Sequence, residues 1–433
     1  MSLSRRDVLR TGGLAGLAGL GLLSLPGCSA GSSGAGTAAT GGGVQDMTLW
    51  YWGGGLSEAV VNSAVTQFAS SVKLTPSQIG GDFKAKLQTT LTGGQAIPSI
   101  TGVKGEDMPY FRSAAAKFVD LNTLGAKEIA AKATGLEWKW KEGQDATGKQ
   151  LGYPIDIGPT AMFYRTDLFE KAGLPTDPAA VGDAVKTWDA FYELGTQLHG
   201  KVPTTFPVDQ LASVWSILVG QSSQRFVSAE NTFVGDSDEL HEAWKVATKA
   251  QTLGLNANSS QTQAQDLGNG KIGAVFGAAW FALDLESGAP DTAGTWRVAN
   301  NPVKPTNYGG SFLTIPTATK DPAKAFEIIA WILSTVNQGK RFEDAKIFPD
   351  DPAAWALPAL NQGSEFFGGQ KTIEVFGPAG KLVPTQYVAV TDGAVGAPYS
   401  DELTKVEGGK DPEKAWADAV AAAKQVAQRQ GVK

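Results

Sequence analysis

The chain has 433 residues, of which 42% are apolar, and a formal charge of −6. A chain of this length builds a large core and suggests two domains or more. It carries no run of Lys or Arg, which argues against nucleic acid as a partner. Its two histidines, His199 and His241, have no metal-ligand spacing, and no phosphate loop or dinucleotide fingerprint follows a strand. We therefore expect neither a metal site nor a cofactor.

The first 27 residues are typical of a signal peptide. A basic start with Arg5 and Arg6 precedes an apolar stretch that is too short to span a bilayer. The arginine pair resembles the twin-arginine export signal. Val8 stands where Phe is commoner, so the general secretory route stays open. Both routes predict an exported protein.

The apolar stretch ends at Cys28, the only cysteine of the chain. Leu25-Pro26-Gly27-Cys28 resembles the lipobox of bacterial lipoproteins, in which diacylglycerol alkylates the thiol, although Pro26 is unusual there. Residues 28–44 are rich in Gly, Ser and Ala and are typical of a flexible tether. We expect a lipid anchor at Cys28 on the outer face of the cytoplasmic membrane. The alternative is a buried free thiol.

Strand-like and helix-like patterns alternate after the tether. A strand at 47–52 precedes a helix over 56–72, a second helix over 84–92 and a short buried strand over 97–103. This order predicts a parallel α/β sheet.

The middle of the chain continues the alternation. Asp156 and the Gly158-Pro159 pair lie between two β-rich stretches, and Thr166 is expected to cap the following helix. The later predicted elements are helices over 187–198 and 238–253, a strand leading to Trp280, a strand over 296–303 and a helix from Asp321 to about Gln338.

Six pieces of the sequence, in this order, resemble the family 1 extracellular solute-binding proteins, the receptors of carbohydrate ABC importers. The resemblance covers roughly residues 45–433, and Ser99 departs from it where members commonly carry Asp. The six pieces are Thr48–Trp52, Gly152-Tyr153-Pro154 with 163–175, Thr187–Phe191, Gly270–Ala274 with Gly277 and Trp280, Gly309–Phe312 through Pro316, and Asp321–Glu327.

The resemblance implies an α/β, two-lobed periplasmic-binding-protein-like fold of type II, like that of maltose-binding protein. The ligand would bind in a cleft between the lobes, which close around it. The expected N-lobe is 45–155 plus 302–345, and the expected C-lobe is 158–298 plus 347–433. The expected partners are a carbohydrate and the permease subunits of an ABC transporter, with the receptor itself a monomer.

A sugar site needs flat aromatic platforms for the C–H faces of the rings, and carboxylates or backbone groups for the hydroxyls. Each candidate also has a structural alternative: core packing for the aromatic residues, helix or turn capping for the carboxylates, and a tight strand entry for the glycines. The candidates are the aromatic residues Trp50, Trp52, Trp215, Trp280, Phe312 and Trp355, the carboxylates Asp82, Asp107 and Asp156, and the donors Gly309, Gly310 and Ser311.

The sequence favours a receptor without catalytic residues. One alternative is the same fold with a non-sugar solute, either a glycerophosphodiester or a polyamine. A phosphate ligand would need arginines near the cleft, and Arg112, Arg165, Arg225 and Arg341 show no clustering with the aromatic residues in the sequence. The other alternative is a lipid-anchored glycoside hydrolase, which would need two converging carboxylates.

Overall fold

A computed structural model describes residues 44–132 and 136–433, so the signal peptide, Cys28 and nearly all of the tether lie outside the described residues. The described part contains eight strands in two sheets. The strands are β1 Gln45–Tyr51, β2 Val72–Gln78, β3 Ile100–Lys104, β4 Gly152–Pro154, β5 Thr160–Arg165, β6 Ala274–Ala278, β7 Trp296–Ala299 and β8 Ser311–Thr314.

Helices surround both sheets. The α-helices of the described part are α1 Glu58–Gln67, α2 Phe83–Gly93, α3 Met108–Ser113, α4 Ala126–Ala130, α5 Glu137–Glu142, α6 Thr166–Lys171, α7 Pro178–Ala184, α8 Trp188–Lys201, α9 Leu211–Gln221, α10 Asp238–Thr252, α11 Gln263–Gly268, α12 Phe281–Gly288, α13 Pro322–Ile332, α14 Thr335–Ala345, α15 Ile373–Leu382, α16 Asp392–Glu407 and α17 Pro412–Arg429. Short 3-10 helices lie at Gly105–Asp107, Ala115–Lys117, Leu121–Leu124, Pro290–Thr292, Pro352–Ala356 and Pro358–Leu360.

The larger sheet has the strand order β2-β1-β3-β8-β4. Strand β1 pairs in parallel with β2 and β3, whereas β8 is antiparallel to both β3 and β4. The first four strands therefore run in one direction, as expected of a parallel sheet, and the expectation is wrong for β8, which runs against them. The reason is that β8 comes from a distant part of the chain and enters the sheet from the opposite direction.

The smaller sheet has the order β6-β5-β7, and both pairings are antiparallel. Its central strand β5 is buried along its whole length. Met162 and Tyr164 pack into one core cluster, and Ala161 and Phe163 pack into another. This alternation, which the period of two in a strand imposes, gives the smaller sheet an apolar core on each face.

Several helices that begin near their predicted starts are capped by side chains. The side chains of Ser57, Thr187 and Asp321 accept hydrogen bonds from the first turns of α1, α8 and α13. Thr166 is the exception, because its hydroxyl instead donates to the carbonyl of Thr295 at 2.9 Å. The predicted helix from 321 to 338 is two helices, since α13 ends at Ile332 and α14 begins at Thr335.

The chain passes between the two sheets at residues 155–159 and again at 300–310, and these segments contact each other. The amide of Tyr308 donates to the carbonyl of Gly158 at 2.8 Å, and the amide of Ile157 donates to the carbonyl of Phe348 at 3.2 Å. Three stretches of backbone therefore meet at one place between the sheets. We call this place the junction.

Replacing Gly158 with Ala should destabilise the junction. A Cβ at this position would lie 2.0 Å from the carbonyl oxygen of Tyr308, so the two backbone segments would have to separate. We expect the free energy of unfolding, measured by urea denaturation, to fall by ~1–3 kcal/mol, the usual cost of overpacking. Gly200→Ala is the matched control, since a Cβ there meets nothing within 4 Å and Ala favours a helix. Equal stability of the two variants would contradict the proposed crowding.

Candidate functional site

A cavity of about 670 Å³ lies between the two sheets and has the junction as its floor. We call it the cleft. One wall comes from the loops after β1 and β3, and the other from Trp280, which follows β6, and from residues 383–388. Six of the twelve predicted binding residues line it, namely Trp52, Asp156, Trp280, Gly309, Gly310 and Ser311.

Trp280 and Tyr308 form an aromatic pair at the cleft surface. Their ring centroids are 5.6 Å apart at an interplanar angle of 32°, and the indole N–H of Trp280 donates to the carbonyl of Tyr308 at 2.9 Å. Tyr308 is 51% exposed, which is high for a residue with so large an apolar ring. The pair offers a fixed apolar surface that suits the C–H face of a planar or ring-shaped ligand.

The glycines beside this pair bring backbone close to Asp156. Gly309 and Gly310 have φ angles of +89° and +77°, a region that residues with a Cβ rarely adopt. A Cβ on Gly310 would also lie 2.7 Å from the carbonyl oxygen of Asp156. The turn lets the amide of Ser311 donate to Asp156 Oδ1 at 2.8 Å. This bond fixes a carboxylate at the floor of the cleft.

Trp52 forms part of the opposite wall and is only 8% exposed. Its ring packs edge to face on Phe83, with centroids 5.2 Å apart, and Lys104 Nζ lies 5.6 Å from its centroid. A Cβ on Gly55 or Gly102 would come within 2.6 Å of the indole. The two glycines therefore make room for Trp52, whose exposed edge faces the cleft.

Two predicted aromatic residues are buried away from the cleft. Trp215 is 3% exposed and stacks on Tyr399 at a centroid distance of 5.7 Å. Phe312 is fully buried, with Lys139 Nζ 4.1 Å from its ring centroid. Both have the core-packing role that was their structural alternative.

Trp50 and Trp355 are half-buried and do not line the cleft. Trp50 lies under Lys86, whose Nζ is 5.3 Å from the ring centroid. The indole N–H of Trp355 donates to the carbonyl of Pro349 at 3.1 Å. Trp355 thus packs beside the junction from the outside.

Asp82 and Asp107 also lie outside the cleft lining. Asp82 accepts from the amide of Ala85 at 3.0 Å and is the N-cap of α2, its structural alternative. Asp107 pairs with Lys84 at 3.1 Å. Its neighbour Glu106 is exposed and lines the cleft instead.

Two arginines line the cleft with the aromatic residues, so the expectation that none clusters with them is wrong for Arg112 and Arg225. Arg165 fits the expectation, since it pairs with Asp167 at 2.8 Å. Arg341 also fits it, as it is fully buried at the junction. Arg112 is on α3 and Arg225 follows α9. Their meeting depends on how distant elements pack, and no local pattern in the sequence signals it.

The segment 383–388 connects these arginines. Gln386 accepts from Arg225 Nε at 2.8 Å and donates to the carbonyls of Val219 and Ser222, both at 2.9 Å. Arg112 Nη2 donates to the carbonyl of Val388 at 2.8 Å. The segment is thus fastened to α9 on one side of the cleft and touches α3 on the other.

Burial lowers the pKa of both Arg112 and Arg225 from its usual value. The charge of Glu142 opposes that shift for Arg112, and the charges of Asp392 and then Glu142 oppose it for Arg225. Glu142 itself pairs with the fully buried Lys139 at 2.9 Å. An arginine keeps its charge in proteins even when it is buried. The cleft therefore holds two cations that are partly removed from water.

Within residues 44–132 and 136–433, no group of three or more His, Cys, Asp or Glu side chains is placed to hold a metal ion. Over the same ranges, no helix is long and apolar enough to cross a membrane.

These features define a class of protein: an α/β chain with a ligand-sized cleft between two sheets that are joined by crossing segments. The model of the bacterial extracellular solute-binding protein family matches residues 31–339, and the chain belongs to this family.

Curated relatives carry the same kind of description. The lactose-binding protein of Rhizobium radiobacter is 25% identical over 376 residues, which cover 78% of this chain and 82% of that protein. The arabinooligosaccharide-binding protein of Bacillus subtilis strain 168 is 23% identical over 303 residues, 64% of each chain.

Solved structures share the fold. A crystal structure of a family 1 extracellular solute-binding protein superposes with a TM-score of 0.82 at 27% identity, over 88% of this chain and 100% of that one. The lacto-N-biose complex of a Bifidobacterium longum binding protein gives a TM-score of 0.74 at 20% identity, over 91% and 100%. The sugar-binding protein MalE of Xanthomonas citri gives a TM-score of 0.74 at 15% identity, over 89% and 98%. The predicted α/β, maltose-binding-protein-like fold is confirmed.

Replacing Gln386 with Ala should loosen the segment 383–388 without unfolding the protein. The change removes three hydrogen bonds to α9 and the loop after it, each worth about 1 kcal/mol. We expect amide hydrogen exchange in 383–388 to become about tenfold faster or more, with exchange in the strands of both sheets unchanged. Gln428→Ala, at an exposed position on α17, is the control. Unchanged exchange would mean that Gln386 does not hold the segment.

Proposed function

We propose that this chain is the substrate-binding receptor of a carbohydrate ABC importer, and that it captures a sugar, an oligosaccharide by preference, in the cleft. Family membership and relatives that are named for lactose and arabinooligosaccharides support this proposal. The observation that carries it is the half-exposed Trp280–Tyr308 pair beside the fixed carboxylate of Asp156.

In this proposal Trp280 and Tyr308 stack on a sugar ring, and Asp156 accepts hydrogen bonds from its hydroxyls. Glycines at 309 and 310 expose backbone groups that serve the same purpose. A carboxylate forms stronger hydrogen bonds than a neutral acceptor. Because it has two acceptor oxygens, it can accept from two hydroxyls at once. The combination recognises the two faces of a sugar, one apolar and one polar.

The ligand would bind between two lobes and select their closed arrangement. We propose an N-lobe of 45–155 plus 302–345 and a C-lobe of 158–298 plus 347–433. Strand membership supports this division, since β1–β4 and β8 share one sheet and β5–β7 share the other. Closure needs only rotation about the junction, and the ligand shifts the equilibrium by binding the closed form more tightly.

The receptor would act beside the membrane without performing chemistry. A lipid on Cys28 and the tether of residues 28–44 would hold a monomeric receptor near its permease and raise its effective concentration there. The relatives' names describe binding rather than catalysis, which supports the non-enzymatic assignment.

Replacing Trp280 with Ala should weaken sugar binding by at least ~1 kcal/mol, because the aromatic platform is lost. Isothermal titration calorimetry of the purified protein with its best sugar measures the difference. Trp331→Ala is the control, since that indole is half-buried on α13, packs against Phe68 and does not line the cleft. Equal affinity of Trp280→Ala and the unmodified protein would rule out this platform.

A panel of mono- and oligosaccharides in a thermal-shift assay tests the function itself. A ligand at 100 times its dissociation constant stabilises the folded state by about 2.7 kcal/mol, which corresponds to a rise of a few degrees in melting temperature. We expect such a rise with at least one sugar and no product when the mixture is analysed by chromatography. Hydrolysis of any sugar would instead favour the hydrolase.

A further inference from the structure

Two arginine side chains reach the cleft from different elements. Arg112 comes from α3, which packs on the larger sheet, and Arg225 comes from the loop after α9, which packs on the smaller one. Both lie next to the segment 383–388. A ligand in the cleft that touches both guanidinium groups therefore bridges the two halves of the fold.

The protein gives these cations neutral partners. Arg112 Nη2 donates to the carbonyl of Val388, and Arg225 Nε donates to the side-chain oxygen of Gln386, both at 2.8 Å. Within residues 44–132 and 136–433, neither guanidinium forms an ion pair with a carboxylate. The carboxylate with the largest influence on Arg112 is Glu142, which is paired with Lys139. For Arg225 it is Asp392, whose Oδ1 accepts from the amides of Phe226 and Val227 and forms no ion pair with Arg225.

A partly buried guanidinium whose hydrogen-bond partners are neutral has lost hydration without gaining a carboxylate in direct contact. Each guanidinium presents five N–H donors, and the described residues accept from one donor on each of these two. The remaining donors form a planar fork that matches a carboxylate or a phosphate better than a hydroxyl. An anionic group on the ligand would supply the negative charge that the protein does not place in contact with these arginines.

We propose that the sugar taken by this cleft carries an anionic group, a carboxylate or a phosphate, which is held between Arg112 and Arg225. This inference rests on the proposed function and narrows its substrate class to acidic sugars. The Trp280–Tyr308 pair then contacts the ring, Asp156 binds its hydroxyls, and the two arginines bind the anionic group. Because they lie on opposite sides of the cleft, the anion also favours the closed arrangement.

The test compares sugars that differ in charge alone. A panel of aldobiuronic acids is measured by calorimetry against the same disaccharides after reduction of the carboxyl group to a primary alcohol, and sugar phosphates form a second arm. We expect an acidic member to bind at least tenfold more tightly than its neutral counterpart, and more weakly as salt increases. Uronate preference identifies a carboxylate site, and preference for the second arm identifies a phosphate site.

Variants assign the preference to the arginines. R225Q and R112Q should each reduce affinity for the acidic sugar tenfold or more and leave affinity for its neutral counterpart within about threefold. R429Q removes the same charge from an exposed position on α17 and should change neither. If one arginine variant fails to fold, the comparison of acidic and neutral sugars on the unmodified protein still decides.

The outcomes separate this inference from the function beneath it. Tight binding of neutral sugars with no gain from a charge overturns the acidic class and keeps the sugar receptor. Binding of glycerophosphodiesters with no sugar bound overturns both, as does the absence of binding by every sugar, acidic or neutral.

Discussion

The contact between the two crossing segments is the constraint on which the rest of the structure depends. Gly158 accepts from the amide of Tyr308 and donates its own amide to Asn307 Oδ1 at 3.0 Å. This pairing allows the two sheets to share one junction. It also sets the floor of the cleft, since Asp156 lies two residues before Gly158 and Gly309 directly follows Tyr308. Architecture and site therefore have the same origin, and a side chain at 158 would disturb both.

Buried charge makes the junction intolerant of change. Arg341 is fully buried and donates from Nη2 to the carbonyl of Ile155 at 2.9 Å, while its Nε and Nη1 have no hydrogen-bond partner among the described residues. Burial raises the pKa of nearby Asp350 to about 7, and Arg341 opposes that shift. The two groups form no direct ion pair, but each acts on the other electrostatically, so removing one leaves the other buried with less compensation. The junction therefore rests on polar contacts that no single substitution replaces.

Local signals explain what the sequence could predict. Thr187 marked the start of α8. Trp280 was found because it follows a buried strand, and Asp156 because it lies beside Gly158-Pro159 between two β-rich stretches. Strand β2 was missed because it contains Pro76 among polar residues and is an edge strand, where a missing N–H is tolerated. The antiparallel pairing of β8 was also missed, since pairing direction depends on the route of the whole chain.

The cleft combines two kinds of recognition, and they differ in how far sequence reveals them. An aromatic platform needs tryptophan or tyrosine, which can be recognised in the sequence, so Trp280 could be proposed from its place after β6. Nothing in the sequence distinguishes Arg112 and Arg225 from other arginines. Their proposed role in binding follows from the three-dimensional structure, which places both in the cleft and gives both neutral hydrogen-bond partners. Aromatic stacking alone accepts many sugars, because every ring has an apolar face. To discriminate between ligands, a site needs polar groups that cost free energy when a ligand leaves them without a partner. Two partly dehydrated guanidinium groups have that property.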